Sequence, residues 1–204
     1  MKCYNSGCSF TTSDSVIQSE QMYWYMLAKD KGCDEFINDS RPGSSNDLIF
    51  QRIYNHVLSN IDSEIFYIIN ITSLNRMELE PSRSERLQEI LKPEALVRYD
   101  IATAVQRVFA QLVGIITFLN FYKKDFYIIN NNKELSSTQL QPRDKLLEFL
   151  KKEKRALNLF EFSKFDFHQS ISNIRPYDYD LYGWFGHDGP EGHYAYYCKL
   201  KTLV

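Results

Sequence analysis

The 204-residue chain has no glycine-rich phosphate loop, no His-Glu-x-x-His pair and no Gly-x-Ser-x-Gly turn. Three common routes to phosphate, zinc and acyl chemistry therefore lack their usual starting point. Positive charge is not in surplus either. Lys and Arg number 24 against 26 Asp and Glu, a net charge of -2, whereas a nucleic-acid grip needs a basic face. The one basic cluster, Lys151 to Arg155, alternates with Glu148 and Glu153 and reads as a solvated helix face, so nucleic acid is not an expected partner. Long apolar runs are also missing. VFAQLVGIITFLNFY is too short to span a bilayer, and the amino-terminal segment has no signal-peptide run, so we expect no membrane association and a cytoplasmic location. Cysteine is sparse: Cys3, Cys8, Cys33 and Cys198 include no Cys-x-x-Cys pair. Free thiols are expected, with no metal and no cofactor.

What the chain does have is apolar and aromatic surface to bury. Hydrophobic residues make up 44% of it and aromatics 15%, which is enough for the core of one domain over residues 1–204. A helix is expected from a cap at Ser13 or Asp14 to a stop at Gly32. NDSRPGSSND, residues 38–47, has the composition of a loop or linker. DLIFQRIYNHVLSN returns to helical spacing, with Ile49, Ile53, Val57 and Leu58 facing inward. EIFYIIN and DFYIIN read as strands, while SERLQEILKPEAL, RYDIATAVQRVFAQLVGIITFLNFY and PRDKLLEFLKKEKRA read as helices.

FYIIN occurs at Phe66 to Asn70 and again at Phe126 to Asn130. Each copy follows a helical run and leads toward a charged helix-like segment. An internal duplication over 46–105 and 106–165 would place the two strands side by side in one sheet. Shared Ile- and Asn-rich composition is the plainer source of the same letters.

The carboxy-terminal stretch differs in character. GHDGPEG supplies turn residues, and the alternation in HYAYYCKL predicts a strand, so a terminal hairpin is expected. The expected class is α+β: a helical amino-terminal half, a small mixed or antiparallel sheet and a carboxy-terminal β-hairpin.

Within YDLYGWFGHDGPEGHYAYYCKL, the triplet Gly192-His193-Tyr194 and the aromatic run after it resemble the histidine box of ubiquitin-specific cysteine proteases, which have a papain-like fold. The resemblance implies that His193 acts as base and that a cysteine lies near a helix start, where NSGCSFTTSDSVIQ offers Cys8. That family orients its histidine with an Asp or Asn placed after it. No acid or amide follows His193 here, so Asp188 would have to act from another direction.

Two functions remain in view. The first is a non-catalytic protein-interaction module, with a protein partner, ubiquitin-like proteins among the candidates. Its aromatic surface would use Tyr182, Trp184, Phe185, His187, Tyr194, Tyr196 and Tyr197. The second is a thiol hydrolase acting on a protein or peptide through Cys8, His193 and Asp188.

Overall fold

The two copies of FYIIN form the centre of the molecule. A computed structural model describes residues 1–12, 18–72, 76–80, 83–86, 101–130, 145–157 and 190–204. Strand β3 (Ile65–Ile71) is buried along its whole length, and β6 (Asp125–Asn130) at every residue after Asp125. Continuous apolar runs of this kind suit a parallel sheet covered on both faces. The two strands pair in parallel and are joined by β1 (Lys2–Ser6), β2 (Glu35–Asn38) and the short β7 (Ala156–Leu157). The sheet has five strands in the order β2-β1-β3-β6-β7, and every pairing is parallel. A separate antiparallel ribbon joins β4 (Arg76–Glu80) to β5 (Arg83–Arg86).

Helices cover both faces. On one side, α2 (Asn46–Ser59), α3 (Ile101–Phe121) and α4 (Lys145–Lys152) pack on Tyr67, Ile69, Phe126 and Ile128 through Ile53, Phe109, Ile115 and Leu150. On the other, α1 (Tyr23–Asp30) and α5 (Pro190–Lys201) pack on Cys3, Phe66, Ile68 and Ile129 through Trp24, Leu27, Tyr196 and Leu200. The ends of α1 and α5 are tied by Lys201 to Asp30 at 2.9 Å and by the Tyr197 hydroxyl donating to Asp30 at 2.7 Å.

The expected α+β class with an antiparallel sheet is therefore corrected to a three-layer α/β arrangement. The error has two sources. KCYNS and EFIN are short and polar, yet they become β1 and β2 because partner strands supply their hydrogen bonds and helices bury Cys3 and Tyr4. The terminal hairpin is instead the helix α5. Its Pro190 stands at the first helical position, where a missing N–H costs nothing. His193, Tyr196 and Leu200 then recur at helical spacing and are buried, while Tyr194, Cys198 and Lys199 are exposed. The same letters alternate at period two, and eight residues are too few to separate the periods. Packing decides: Tyr196 sits edge-on to Tyr23 at 4.8 Å and donates to the Asn130 carbonyl at 3.0 Å.

Smaller differences follow the same logic. Ile49, Ile53 and Val57 are buried as expected, but Leu58 is half exposed. SERLQ, expected to open a helix, begins within β5, and residues 87–100 lie outside the described part. The FYIIN strands are adjacent but staggered by one residue, Tyr67 opposite Phe126. Matching letters consequently point to opposite layers, Phe66 toward α1 and Phe126 toward α3.

Candidate active site

From β1 the chain passes through α1 to β2 on one side, then through α2 to β3 on the other side of β1. The two connections cover opposite faces of the sheet. Loops leaving the carboxyl ends of β1 and β3 diverge at such a switch point, where open α/β sheets place their ligands. The side chains at this edge are polar and buried: Asn5 and Ser6 on β1, Asn70 on β3 and Thr72 just beyond it.

The segment leaving β1 is Gly7-Cys8-Ser9, followed by a single 3-10 turn over Ser9–Thr11. Gly7 has no space for a side chain. A Cβ there would lie 2.2 Å from Thr11 Oγ1 and 3.0 Å from Asn70 Cβ, distances no real contact tolerates without movement. Cys8 is fully buried, and its carbonyl accepts from Thr11 N at 3.1 Å and Thr12 Oγ1 at 3.0 Å, with Thr11 Oγ1 also at 3.0 Å. Ser9, the next residue, is half-buried.

An amide network lies beneath this turn. Asn70 Nδ2 donates to Asn5 Oδ1 at 2.8 Å and to the Ser6 carbonyl at 3.1 Å, and Asn70 Oδ1 accepts from the Tyr23 hydroxyl at 2.6 Å. Asn5 Nδ2 donates onward to Asn38 Oδ1 at 2.9 Å and Ser40 Oγ at 3.0 Å. Asn38 Nδ2 closes the ring on the Thr11 carbonyl at 2.9 Å. The 38–47 stretch docks on this edge: Asp39 N donates to Asn5 O at 2.9 Å and Arg41 N to Gly7 O at 3.2 Å. Arg52 of α2 holds the same stretch from behind through Asp39 O at 2.6 Å and Ser44 Oγ. At the start of α2, Asn46 exchanges two hydrogen bonds with the backbone of Thr72, fixing the end of β3.

The residues expected to carry function scatter. Cys8 is enclosed beneath the turn, next to the half-buried Ser9. His193 is buried, its ring stacked on Tyr23 at 5.5 Å, which puts it in the layer that meets Asn70. Of the aromatic set, Tyr194 is exposed, Tyr196 is core and Tyr197 is half-buried. Tyr182, Trp184, Phe185, His187 and Asp188 lie outside the described residues. The terminal strand on which both functional expectations depended is a helix with Tyr196 facing inward, so neither the aromatic interaction module nor the thiol hydrolase keeps its basis.

Elsewhere, Cys3 and Cys33 form a buried thiol pair. The hydrogen bond between them pushes the Cys3 thiol up and holds Cys33 below the usual thiol range. Among the described residues no cluster of three or more His, Cys, Asp or Glu could hold a metal. Ser9 is what sequence reasoning missed, whereas Asn70 is legible as the end of a strand, where open α/β sheets place ligands. The signal was a Gly-x-Ser directly after a strand, and it was hidden because KCYNS does not look like one.

No family model matches the chain, and no curated protein matches it. Solved structures do. The crystal structure of TesA aligns over 100% of both chains at 15% identity with a TM-score of 0.50. A structure described as a lipolytic protein of the G-D-S-L family from Desulfitobacterium hafniense DCB-2 aligns over 100% of this chain and 99% of its own, at 14% identity and a TM-score of 0.49. The psychrotrophic esterase EstA from Pseudoalteromonas sp., inhibited by monoethylphosphonate, aligns over 99% and 95% at 9% identity and 0.46. The resemblance to ubiquitin-specific cysteine proteases, with its ubiquitin-pathway and papain-like implications, is overturned by this outcome. The chain shares its parallel α/β fold with TesA.

Proposed function

We propose that this protein is a serine hydrolase that cleaves an ester or related acyl bond with Ser9 as nucleophile. One observation carries the reading: of two adjacent nucleophiles at the sheet's switch point, Cys8 is fully enclosed and only Ser9 reaches the surface. Gly7 and Ser9 also stand, letter for letter, at the first and third places of the sequence G-D-S-L, with Cys8 and Phe10 at the other two.

The geometry supports acyl chemistry. The Gly7 carbonyl is taken by Arg41 N and the Cys8 carbonyl by Thr11 and Thr12. In a planar trans peptide the N–H opposes the C=O, so the Cys8 and Ser9 N–H groups point away from those partners. They are available to the oxyanion that forms when Ser9 Oγ adds to a carbonyl carbon. In that step a base takes the hydroxyl proton, then returns it to the leaving alcohol as the acyl-enzyme forms; water repeats the sequence to release the acid. Two histidines of the carboxy-terminal segment are candidates for the base. His193 approaches this edge through Tyr23, and His187 lies six residues earlier in the sequence, outside the described part. The buried free thiols fit a reducing, cytoplasmic setting. Among the described residues no helix is long and apolar enough to cross a membrane.

The test uses a fluorophosphonate probe and p-nitrophenyl acetate. Ser9 is expected to be the labelled residue, and Ser9→Ala to lower turnover by about 10³-fold or more with unchanged thermal stability. Iodoacetamide should leave turnover intact. Alanine replacement of His187 and His193 in turn assigns the base. Label on another residue, or full hydrolysis by Ser9→Ala, refutes the proposal.

A further inference from the structure

Tyr23 is buried on α1, 47 residues from Asn70, and its hydroxyl donates to Asn70 Oδ1 at 2.6 Å. The direction of that bond follows from chemistry. The Ser6 backbone carbonyl can only accept, so the Asn70 atom 3.1 Å from it must be the NH₂ end. The other end is then the oxygen, and the phenol must supply the proton. The same NH₂ reaches Asn5 Oδ1, which commits Asn5 to donate through its own NH₂ to Asn38 and Ser40. The phenol proton satisfies the Asn70 oxygen at the head of this chain of three amides, and the chain ends on the Thr11 carbonyl through Asn38. The carbonyls at both ends of the turn, Ser6 and Thr11, hang from this chain, with Ser9 between them. Tyr23 also stacks on His193 of α5, so one side chain touches both the support of the turn and the carboxy-terminal helix.

Resting on the hydrolase reading above, we propose that Tyr23 is a positioning residue: its hydroxyl fixes the pose of the Ser9 turn through Asn70 and registers that turn against the helix bearing His193. Phenylalanine at this position would keep the ring, its stacking on His193 and its packing on Tyr196, and would remove the hydroxyl from which Asn70 Oδ1 accepts.

The experiment compares wild type with Tyr23→Phe by amide hydrogen exchange over residues 7–12 and by the rate of fluorophosphonate labelling at Ser9. Exchange protection is expected to fall about tenfold in the turn and to hold in β3 and β6. Labelling and kcat should fall about 10- to 100-fold, the cost of a slightly misplaced nucleophile, with KM within about twofold because substrate binding is retained. Asn70→Asp supplies a second variant. One oxygen of the new carboxyl still accepts from Tyr23, but the other faces the Ser6 carbonyl and Asn5 Oδ1 and, only when protonated, donates its single hydrogen to one of them. Turn protection, corrected for intrinsic exchange, should therefore be partly restored in acid and drop as pH rises, a dependence absent from wild type. Unchanged protection in Tyr23→Phe overturns the inference whatever the labelling does, and so does lost protection with undiminished labelling. A wild type not labelled at Ser9 sinks the hydrolase reading and any catalytic meaning of Tyr23, while the exchange comparison still decides whether Tyr23 holds the turn.

Discussion

The middle of the sheet and its carboxyl edge are built from opposite materials. In the middle, Ile65 to Ile69 of β3 and Phe126 to Ile129 of β6 meet mainly hydrocarbon and aromatic rings from both helical layers. At the edge, Asn5, Ser6, Asn70 and Thr72 are just as buried, and amide pairs take the place of methyl contacts. Burial alone does not separate the regions. The middle gains from every methylene removed from water and tolerates rearrangement, whereas the edge gains little net energy per bond and loses heavily when one partner is withdrawn. Stability therefore resides in the strand bodies, and positional precision at their ends.

Ile68→Ala would break this contrast most severely. Ile68 is fully enclosed between β1, β6 and the α1 layer, and its truncation should cost about 2–5 kcal/mol in urea denaturation. Turnover per folded molecule should stay near wild type; a selective loss of turnover would show that strand bodies and edge are not separable.

Gly7→Ala tests the edge from the other direction. The added methyl meets Thr11 Oγ1 and Asn70, an overpacking cost of about 1–3 kcal/mol. Unlike Ile68→Ala, it should depress Ser9 labelling far more than stability. An equal loss of both would remove the distinction.

The smallest effect concerns His56, which stacks on Tyr4 at 3.7 Å and shares a hydrogen bond of 3.2 Å with the Tyr67 hydroxyl in the α2 layer. Burial lowers its pKa below the ordinary 6.5, against the pull of Asp39 and with a lesser contribution from Lys124. The folded protein thus favours the neutral ring, and the unfolded chain binds more protons as pH falls below that value. The stabilisation is present above about pH 6.5 and is lost on acidification until the folded group also protonates. The urea midpoint should decline as pH falls through 6.5, and His56→Gln should flatten that decline. An identical decline in the variant would place the titrating group elsewhere.

The same contrast explains how far the sequence could be read. The bodies of α2, α3, β3 and β6 were legible because hydrocarbon periodicity signals burial directly. The edge was not. Asn5 and Asn38 look like turn residues until their contact, 33 positions apart, and that of Asn5 with Asn70, 65 apart, are known. β1 and β2 were missed for this reason, and Ser9 with them, since a serine after an unrecognised strand carries no signal. Cys8 is conspicuous in the sequence because a thiol stands out by chemistry alone, whereas its enclosure is a tertiary fact. In α5 the letters HYAYYCKL satisfied two periods, and only the presence of Tyr23 and Asn130 selected one.

The one-residue stagger between β3 and β6 has a consequence for how such a protein can change. Because oily helices clad both sides, an isoleucine is equally at home whichever way its strand is phased, and drift in those letters leaves little trace. Asparagine is where phase becomes audible: Asn70 turns to Tyr23, while the alternation of β6 sends the matching Asn130 side chain to the other layer. A shared phrase has thus been given two grammars, and one of them speaks to the serine turn.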